Sequence, residues 1–340
     1  MQLCLHFRLK SAAPDILLIN DIGRAGEAIR SFNASSRKDA LVRTVDSLAV
    51  AGGKNRQFFR ALSAALLVET GDYAGAASFL TLAERGEIEE RHLYSLVIRL
   101  YSLGGKFGDP EFEAYLERAA SVFVARFEES PRAPRVLLEG AEHAAAAAGR
   151  GGLEEKRYAA RAVAMADSTA SHKRGRAYAE RAVLLKSRVL LEHLHDPVAA
   201  VEAVDSRRWR HPELAREAHA VRLEALVLSG RWDEATRRFD ELIESPDSSL
   251  VVSGKYGNGM VLFYSGEFEQ SGKLLSEVAE EAPWSKWAND ALAVAVLVRR
   301  AEMEEPAVLD AFASAMRASR SGEYGAAADS LAAAAEGYPH

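Results

Sequence analysis

The stretch Gly266-Glu267-Phe268-Glu269-Gln270-Ser271 decides the fold, because it is the fullest of four copies of one pattern. In every copy an aromatic residue stands two positions after a glycine, a small residue stands five after it and a large apolar residue stands nine after it. The other copies begin at Gly71, Gly230 and Gly322. Glycine can adopt the left-handed conformation that ends a helix, and the acidic residues that follow three of these glycines suit the positive N-terminal end of the next helix. The pattern therefore predicts pairs of helices joined by tight turns.

A further, degenerate copy is predicted at His195. Gly230 and Gly266 are 36 residues apart, and a step of 35 residues back from Gly230 reaches His195. Asp196 and Pro197 follow directly. Histidine is one of the few non-glycine residues enriched at positive φ, and proline fits the first turn of a helix. The register of the pattern therefore continues back to this point.

These features resemble the tetratricopeptide-repeat family, whose unit is two antiparallel helices of about 34 residues. The resemblance is fullest around Gly266, which has Gly259 seven positions before it, Leu275 nine after it and Pro283 seventeen after it. It implies an all-α fold, a right-handed α-solenoid of about seven antiparallel helix pairs. It also implies small residues where the two helices of a unit cross closely.

The resemblance divides the chain into four parts. We expect an N-terminal helical cap over 1–55, TPR-like helix pairs over 56–130, divergent helical pairs over 131–180 and TPR-like repeats over 181–340. An extra helix, from Trp284 to Arg300, falls between the last two clear units. The sequence stops at His340, next to the proline that normally precedes a further helix, so we expect an array truncated at its C-terminus.

Composition and charge exclude several classes of protein. The 340 residues are 48% hydrophobic and 27% charged, which is typical of a soluble folded protein. A formal net charge of -6 gives no general attraction to nucleic acid. Cys4 is the single cysteine, so we expect neither an intrachain disulfide nor a thiolate zinc site. The longest apolar run, from Ala291 to Val298, is too short to span a bilayer.

Two polar clusters have ordinary structural explanations. His193 and His195 are two residues apart, and such residues point about 200° apart around a helix, so they cannot chelate one ion from a regular helix. The run from Arg207 to His211 is the densest basic patch and includes Trp209, which could stack on a base. In an acidic protein so short a patch is more often a solvated loop between helices. We therefore expect no metal site and no nucleic-acid partner.

The sequence contains none of the common catalytic motifs. It has no Gly-x-Ser-x-Gly elbow, no phosphate-binding glycine loop and no Gly-x-Gly-x-x-Gly fingerprint. We therefore expect a protein that is not an enzyme and that needs no cofactor.

The candidate site is a stripe of aromatic and methionine residues. The resemblance places the first helix of each unit on an inner, concave wall, and such side chains bury a large area and adapt in shape. The candidates are Tyr256, Met260, Phe263 and Tyr264 before Gly266, and Phe312, Met316 and Arg320 before Gly322. At helical spacing the same residues are also consistent with a core between neighbouring units, which is the stronger alternative. The lysine-and-asparagine clamp that some relatives use for a C-terminal carboxylate is not evident here.

The most favoured function is a protein–protein interaction scaffold that binds a peptide or protein partner in a concave groove. Two alternatives stay open: an accessory protein of the bacterial cell envelope, and a ligand-sensing module of a larger protein. Residues 1–10 lack the order of a secretory signal, which predicts a cytoplasmic protein. A periplasmic or envelope location is the alternative if the chain is a fragment of a longer protein.

Far-UV circular dichroism provides the first test. No segment shows sustained alternation of apolar and polar residues, so the spectrum should be that of a helical protein with negligible sheet. A strand content above about a tenth would contradict this expectation.

Overall fold

The described part of the chain is entirely helical. A computed structural model describes residues 55–103, 108–304 and 307–337, together with 43, 45 and 47–50, and contains no strand among them. The prediction of an all-α protein is therefore confirmed at this level. Most of the predicted N-terminal cap over 1–55, including Cys4, lies outside the described residues.

We number the described helices in chain order and give their bounds here. They are α1 (Arg56–Thr70), α2 (Tyr73–Glu84), α3 (Glu90–Tyr101), α4 (Pro110–Arg126), α5 (Ala133–Ala148), α6 (Glu155–Ser171), α7 (Ala179–Glu192), α8 (Pro197–Asp205), α9 (Pro212–Leu228), α10 (Trp232–Ile243), α11 (Ser248–Ser265), α12 (Phe268–Glu281), α13 (Ala288–Glu304), α14 (Ala307–Arg320) and α15 (Tyr324–Gly337).

The chain forms two compact units, Met1–Ala182 and Val183–His340, with the division inside α7. In unit 1, α1 packs on α2, α3 on α4 and α5 on α6, and α1, α2 and α3 also contact the next helix but one. This order of contacts is typical of stacked helix pairs. The core of unit 1 is filled by large apolar side chains such as Phe112 and Phe123, both fully buried. One ion pair is buried with them: Arg99 Nη2 lies 2.6 Å from Glu69 Oε1.

The turn residues have the backbone conformation that the sequence predicts. All four pattern glycines have positive φ, between 71° at Gly230 and 88° at Gly71. His195 has a φ of 52° and is the single non-glycine residue with positive φ among those that the structure describes. Asp196 then caps α8 by accepting a hydrogen bond from the Ala199 amide at 2.9 Å. The degenerate turn at His195 is thus confirmed.

Helix α11 packs closely on both of its neighbours, because its glycines let them approach. A Cβ at Gly259 would lie 2.6 Å from a methyl group of Leu275 on α12. At the same crossing Ser271 Oγ donates a hydrogen bond to the Gly259 carbonyl at 2.8 Å. On the other side of α11, a Cβ at Gly257 would overlap the ring of Phe239 on α10. The small residues that the sequence places at this crossing are therefore required by the packing.

The predicted extra helix is present as α13. It begins at Ala288, four residues later than predicted, because residues 282–288 form a turn in which the Ser285 amide bonds to the Ala282 carbonyl at 2.9 Å. Helix α13 packs against α12 and α14, and α14 also contacts α11. Because of this extra helix, α14 packs against α13 as well as against α11.

The α11–α12 crossing can be tested with one methyl group. Gly259→Ala should lower the free energy of unfolding by about 1–3 kcal/mol, because the added methyl group would lie 2.6 Å from Leu275, a fully buried side chain that would have to shift. Urea unfolding followed by circular dichroism would measure the loss. The matched control is Gly325→Ala in α15, where a Cβ meets nothing within 4 Å and stability should be unchanged or slightly higher. Equal urea midpoints for the two variants would contradict the close crossing.

Candidate functional site

Unit 2 contains a cavity of about 770 Å³. Its wall is made by one face each of α9, α11, α13 and α14, with a single contribution from α10. The lining residues are Ala220, Leu223, Glu224, Val227 and Leu228 of α9, Phe239 of α10, Ser253, Tyr256, Gly257, Met260 and Tyr264 of α11, Lys286 and Trp287 of the turn before α13, Asp290, Ala293, Val294 and Leu297 of α13, and Phe312, Met316 and Arg320 of α14.

Helical periodicity explains why these residues share one wall. On α14 the lining positions are four residues apart, and on α9, α11 and α13 they are separated by steps that place them on one side of a helix. Most of the side chains are apolar or aromatic. A cavity of this composition binds mainly by burying apolar surface.

Six of the seven candidate residues from the sequence line this cavity; the exception is Phe263. Phe263 is fully buried and packs its ring edge-to-face against Tyr264 and Phe268, with centroids 5.8 and 5.6 Å away. Tyr256, Met260 and Tyr264 are four residues apart, whereas Phe263 is turned about 100° from Tyr264 around the helix axis. The stripe is thus divided between the cavity wall and the core.

Tyr256 forms an aromatic stack at the cavity wall with Trp287. Their ring centroids are 4.6 Å apart and the ring planes differ by 16°. The Lys286 ammonium lies 4.3 Å from the centroid of the Trp287 ring and makes a cation–π contact with it. Burial, with a smaller effect of Asp290, raises the pKa of Tyr256 to about 12. The phenol is therefore neutral at physiological pH.

Arg320, the last residue of α14, reaches α9 and pairs with Glu224. Burial disfavours the charged guanidinium, but the neighbouring Glu224 carboxylate and the Tyr264 and Tyr256 hydroxyls outweigh it and raise the pKa of Arg320. The arginine is therefore a permanent cation at the cavity wall, already partly neutralised by one carboxylate.

Three further contacts hold the end of α14 and the turn after it in place. Arg317 lies over the ring of Trp232 on α10, with 5.9 Å between the guanidinium carbon and the ring centroid. In the turn between α14 and α15, Gly322 lies against the ring of His195, where a Cβ would overlap it. The His195 ring also meets Tyr324 edge-on at 6.2 Å. Unit 2 therefore closes on itself at this side of the cavity.

The Tyr264 hydroxyl is a buried polar group beside this wall. Tyr264 is 7% exposed, and its hydroxyl oxygen is buried. The Arg320 guanidinium is its polar neighbour, and a side-chain hydrogen bond with the Tyr264 hydroxyl is among the interactions that raise the pKa of Arg320. A buried phenol normally has a hydrogen-bond partner.

Sequence reasoning missed the contributions of α9 and α13. Asp290, Val294 and Leu297 of α13 are spaced by four and three residues, so their shared face was visible as helical periodicity, and Trp287 precedes them in the turn. The repeat pattern assigns wall positions only to the first helix of each unit, and α13 lies outside that pattern as an extra helix. Glu224 has no local signal, since its role depends on contact with Arg320, 96 residues away.

The remaining candidates occupy structural positions. Trp209 lies in the loop between α8 and α9, and its indole N–H donates to the Val204 carbonyl at 3.2 Å. In the part of the chain that the structure describes, no group of three or more metal-binding side chains is placed to hold an ion. Within the same residues, no helix combines the length and hydropathy needed to cross a membrane.

Comparison of the sequence with models of known protein families gave no match, and comparison with curated proteins gave none either.

Stability measurements separate the cavity wall from the core. Phe263→Ala should cost about 3–5 kcal/mol of unfolding free energy, because it removes a fully buried ring. Tyr256→Ala should cost clearly less, since part of its ring borders the cavity rather than packed atoms. The urea midpoints of the two variants measure the difference. A Tyr256→Ala loss as large as that of Phe263→Ala would reject Tyr256 as a wall residue.

Proposed function

We propose that the chain is a non-catalytic interaction protein of the tetratricopeptide type, with its helix pairs in a right-handed superhelix, and that the cavity of unit 2 binds a segment of a peptide or protein partner. The observation that carries this proposal is the convergence of five aromatic rings and two methionines on one cavity of about 770 Å³. These residues are Phe239, Tyr256, Tyr264, Trp287, Phe312, Met260 and Met316.

The size and composition of the cavity support a binding role. Its volume lies within the range of about 300–1,000 Å³ that is usual for ligand pockets. Rigid aromatic side chains bury much area at a small cost in conformational entropy, and methionine adapts to irregular shapes. Met260 and Tyr264 are almost fully buried, whereas Tyr256, Phe312 and Met316 are half-buried and keep surface for a ligand. A large apolar or aromatic side chain of a partner fits this arrangement.

The charges at the cavity wall do not favour a strongly charged partner. Glu224 and Asp290 are acidic, while Lys286 and Arg320 are basic, so the four formal charges cancel. The Glu224–Arg320 pair also crosses between α9 and α14. Affinity would therefore come mainly from apolar burial, with the polar groups setting orientation.

A ligand-sensing module is the second candidate. It is favoured by the way the cavity is closed, because a small molecule that changed the Arg320–Glu224 contact would alter the position of α14. The two candidate functions differ in the ligand that the cavity binds. An interaction protein binds a peptide there, whereas a ligand-sensing module binds a small molecule with which no peptide competes.

The proposal is tested by blocking the cavity. Peptides are selected from a random-sequence display library on the full chain, and their affinity is measured by calorimetry. Ala293 is exposed and lines the cavity, so Ala293→Trp should fill it without disturbing the core. We expect peptides rich in aromatic or long aliphatic residues, and a loss of affinity of at least about tenfold in this variant.

The matched control is Leu292→Trp, the neighbouring residue on α13, which is 52% exposed and does not line the cavity. It should bind the selected peptides as the parent chain does. Equal affinity of the parent and Ala293→Trp would place binding elsewhere. Selection without any enriched sequence would reject peptide recognition by this chain.

A further inference from the structure

Asp290 is a charged group of the cavity wall that is open to a ligand. It is exposed, and within the part of the chain that the structure describes it forms neither an ion pair nor a hydrogen bond. The other acidic group of the wall, Glu224, is neutralised by Arg320 in an ion pair. The Lys286 ammonium lies over the Trp287 ring, 4.3 Å from its centroid. The negative charge of Asp290 is therefore available to a bound molecule.

Tyr256 places a phenol hydroxyl near Asp290. Tyr256 is half-buried and lines the cavity, and its ring is held by the stack on Trp287, with 4.6 Å between the centroids. Among the charged groups that act on the Tyr256 hydroxyl, Asp290 has the largest effect on its pKa, ahead of Arg320 and Glu224. The hydroxyl makes no hydrogen bond to any residue that the structure describes. A carboxylate and a phenol oxygen thus stand near each other, and both can accept hydrogen bonds.

These two oxygen groups favour a cationic ligand group. A protonated amine has only donors, so it complements an ionised carboxylate, and hydrogen bonds between charged partners are the strong ones. The faces of aromatic rings attract cations as well, as the contact of Lys286 with Trp287 shows in this wall. An anion at the same place would be repelled by Asp290. The electrostatics of this side of the cavity therefore select for a positive charge.

The exposure of Asp290 keeps the desolvation cost of such a ligand low. Removing a charge from water entirely costs several kcal/mol, roughly, but a long basic side chain can bury its methylene stem and keep its charged end hydrated. Met260 is buried in the cavity wall, whereas Asp290 and Ala293 are exposed. The apolar part of a ligand would therefore lie against the buried residues, with its positive charge at the exposed side beside Asp290.

We propose that Asp290 and Tyr256 form a subsite for the ammonium group of one lysine in the bound segment, next to the apolar side chain that the cavity encloses. One positive charge is enough, since Glu224 is already paired with Arg320. The cavity would then prefer peptides in which a lysine accompanies an aromatic or long aliphatic residue. This inference rests on the proposed function, because it names the chemistry of the segment that the cavity binds.

The test uses three small probes with the same aromatic body and ligand-observed NMR titrations on the full chain. The probes are phenethylamine, which is a cation, phenethyl alcohol, which is neutral, and phenylacetate, which is an anion. The parent chain should bind the amine most tightly and phenylacetate most weakly. Asp290→Asn should weaken the amine about two- to fivefold, the range of a partly exposed charge pair, and leave the alcohol unchanged.

The matched control is Glu269→Gln. Glu269 is an exposed acidic residue in the first turn of α12, as Asp290 is in the first turn of α13, but it does not line the cavity. Both substitutions remove a favourable charge from a helix N-terminus, so both variants should lose a similar, small amount of stability in thermal melts. Glu269→Gln should bind all three probes as the parent does. Added salt should weaken the amine in the parent more than in Asp290→Asn.

The outcomes separate this inference from the proposed function. If phenethyl alcohol binds, and Ala293→Trp abolishes that binding, the cavity takes apolar groups. The subsite is then overturned by alcohol or phenylacetate that binds as tightly as the amine, by equal effects of Asp290→Asn on amine and alcohol, or by the same loss of amine binding in Glu269→Gln. If no probe binds at a site that Ala293→Trp blocks, both the cavity function and the subsite are rejected.

Discussion

The close approach of α11 to both of its neighbours is the constraint on which the rest of unit 2 depends. Gly257 leaves space for the Phe239 ring, and Gly259 leaves space for Leu275. With both flanks of α11 fixed in this way, its rotation about its own axis is fixed too. The consequence is that Tyr256, Met260 and Tyr264 face one side and Phe263 faces the core. A larger residue at either glycine would separate the helices and turn this face.

Closure of the cavity depends on a different kind of contact. Residues far apart in the chain meet where α14 returns to α9 and α10, through the Arg320–Glu224 pair and the Arg317–Trp232 contact. Partly exposed pairs of this kind contribute little stability individually, typically below about 1 kcal/mol. The cavity therefore combines a rigid wall on α11 with a wall on α14 that weaker contacts hold. That combination suits a site that must admit a ligand and then enclose it.

The polar and apolar parts of the cavity have different tasks in the proposed mechanism. Burial of an aromatic or aliphatic side chain among Met260, Phe312 and Met316 would supply most of the affinity. The charged pair of Arg320 and Glu224 would decide which group lies beside that side chain. The stack of Tyr256 on Trp287 stiffens the wall at the remaining side. Specificity and affinity would thus come from separate residues.

Local features of the sequence determined the helices and their turns. The backbone of a turn depends on a few neighbouring residues, which is why the glycine pattern predicted positive φ at Gly71, Gly230, Gly266 and Gly322, and even at His195. Periodicity likewise identified most of the α11 and α14 faces, because side-chain direction along a helix follows from spacing alone. Spacing could not predict which of these residues line the cavity and which lie in the core. Met260 and Phe263 are both apolar, and they differ only in which residues pack against them. Only the tertiary structure decided that the turn before α13 would supply Trp287 to the wall and that Arg320 would meet Glu224, because both contacts depend on how segments far apart in the sequence are brought together.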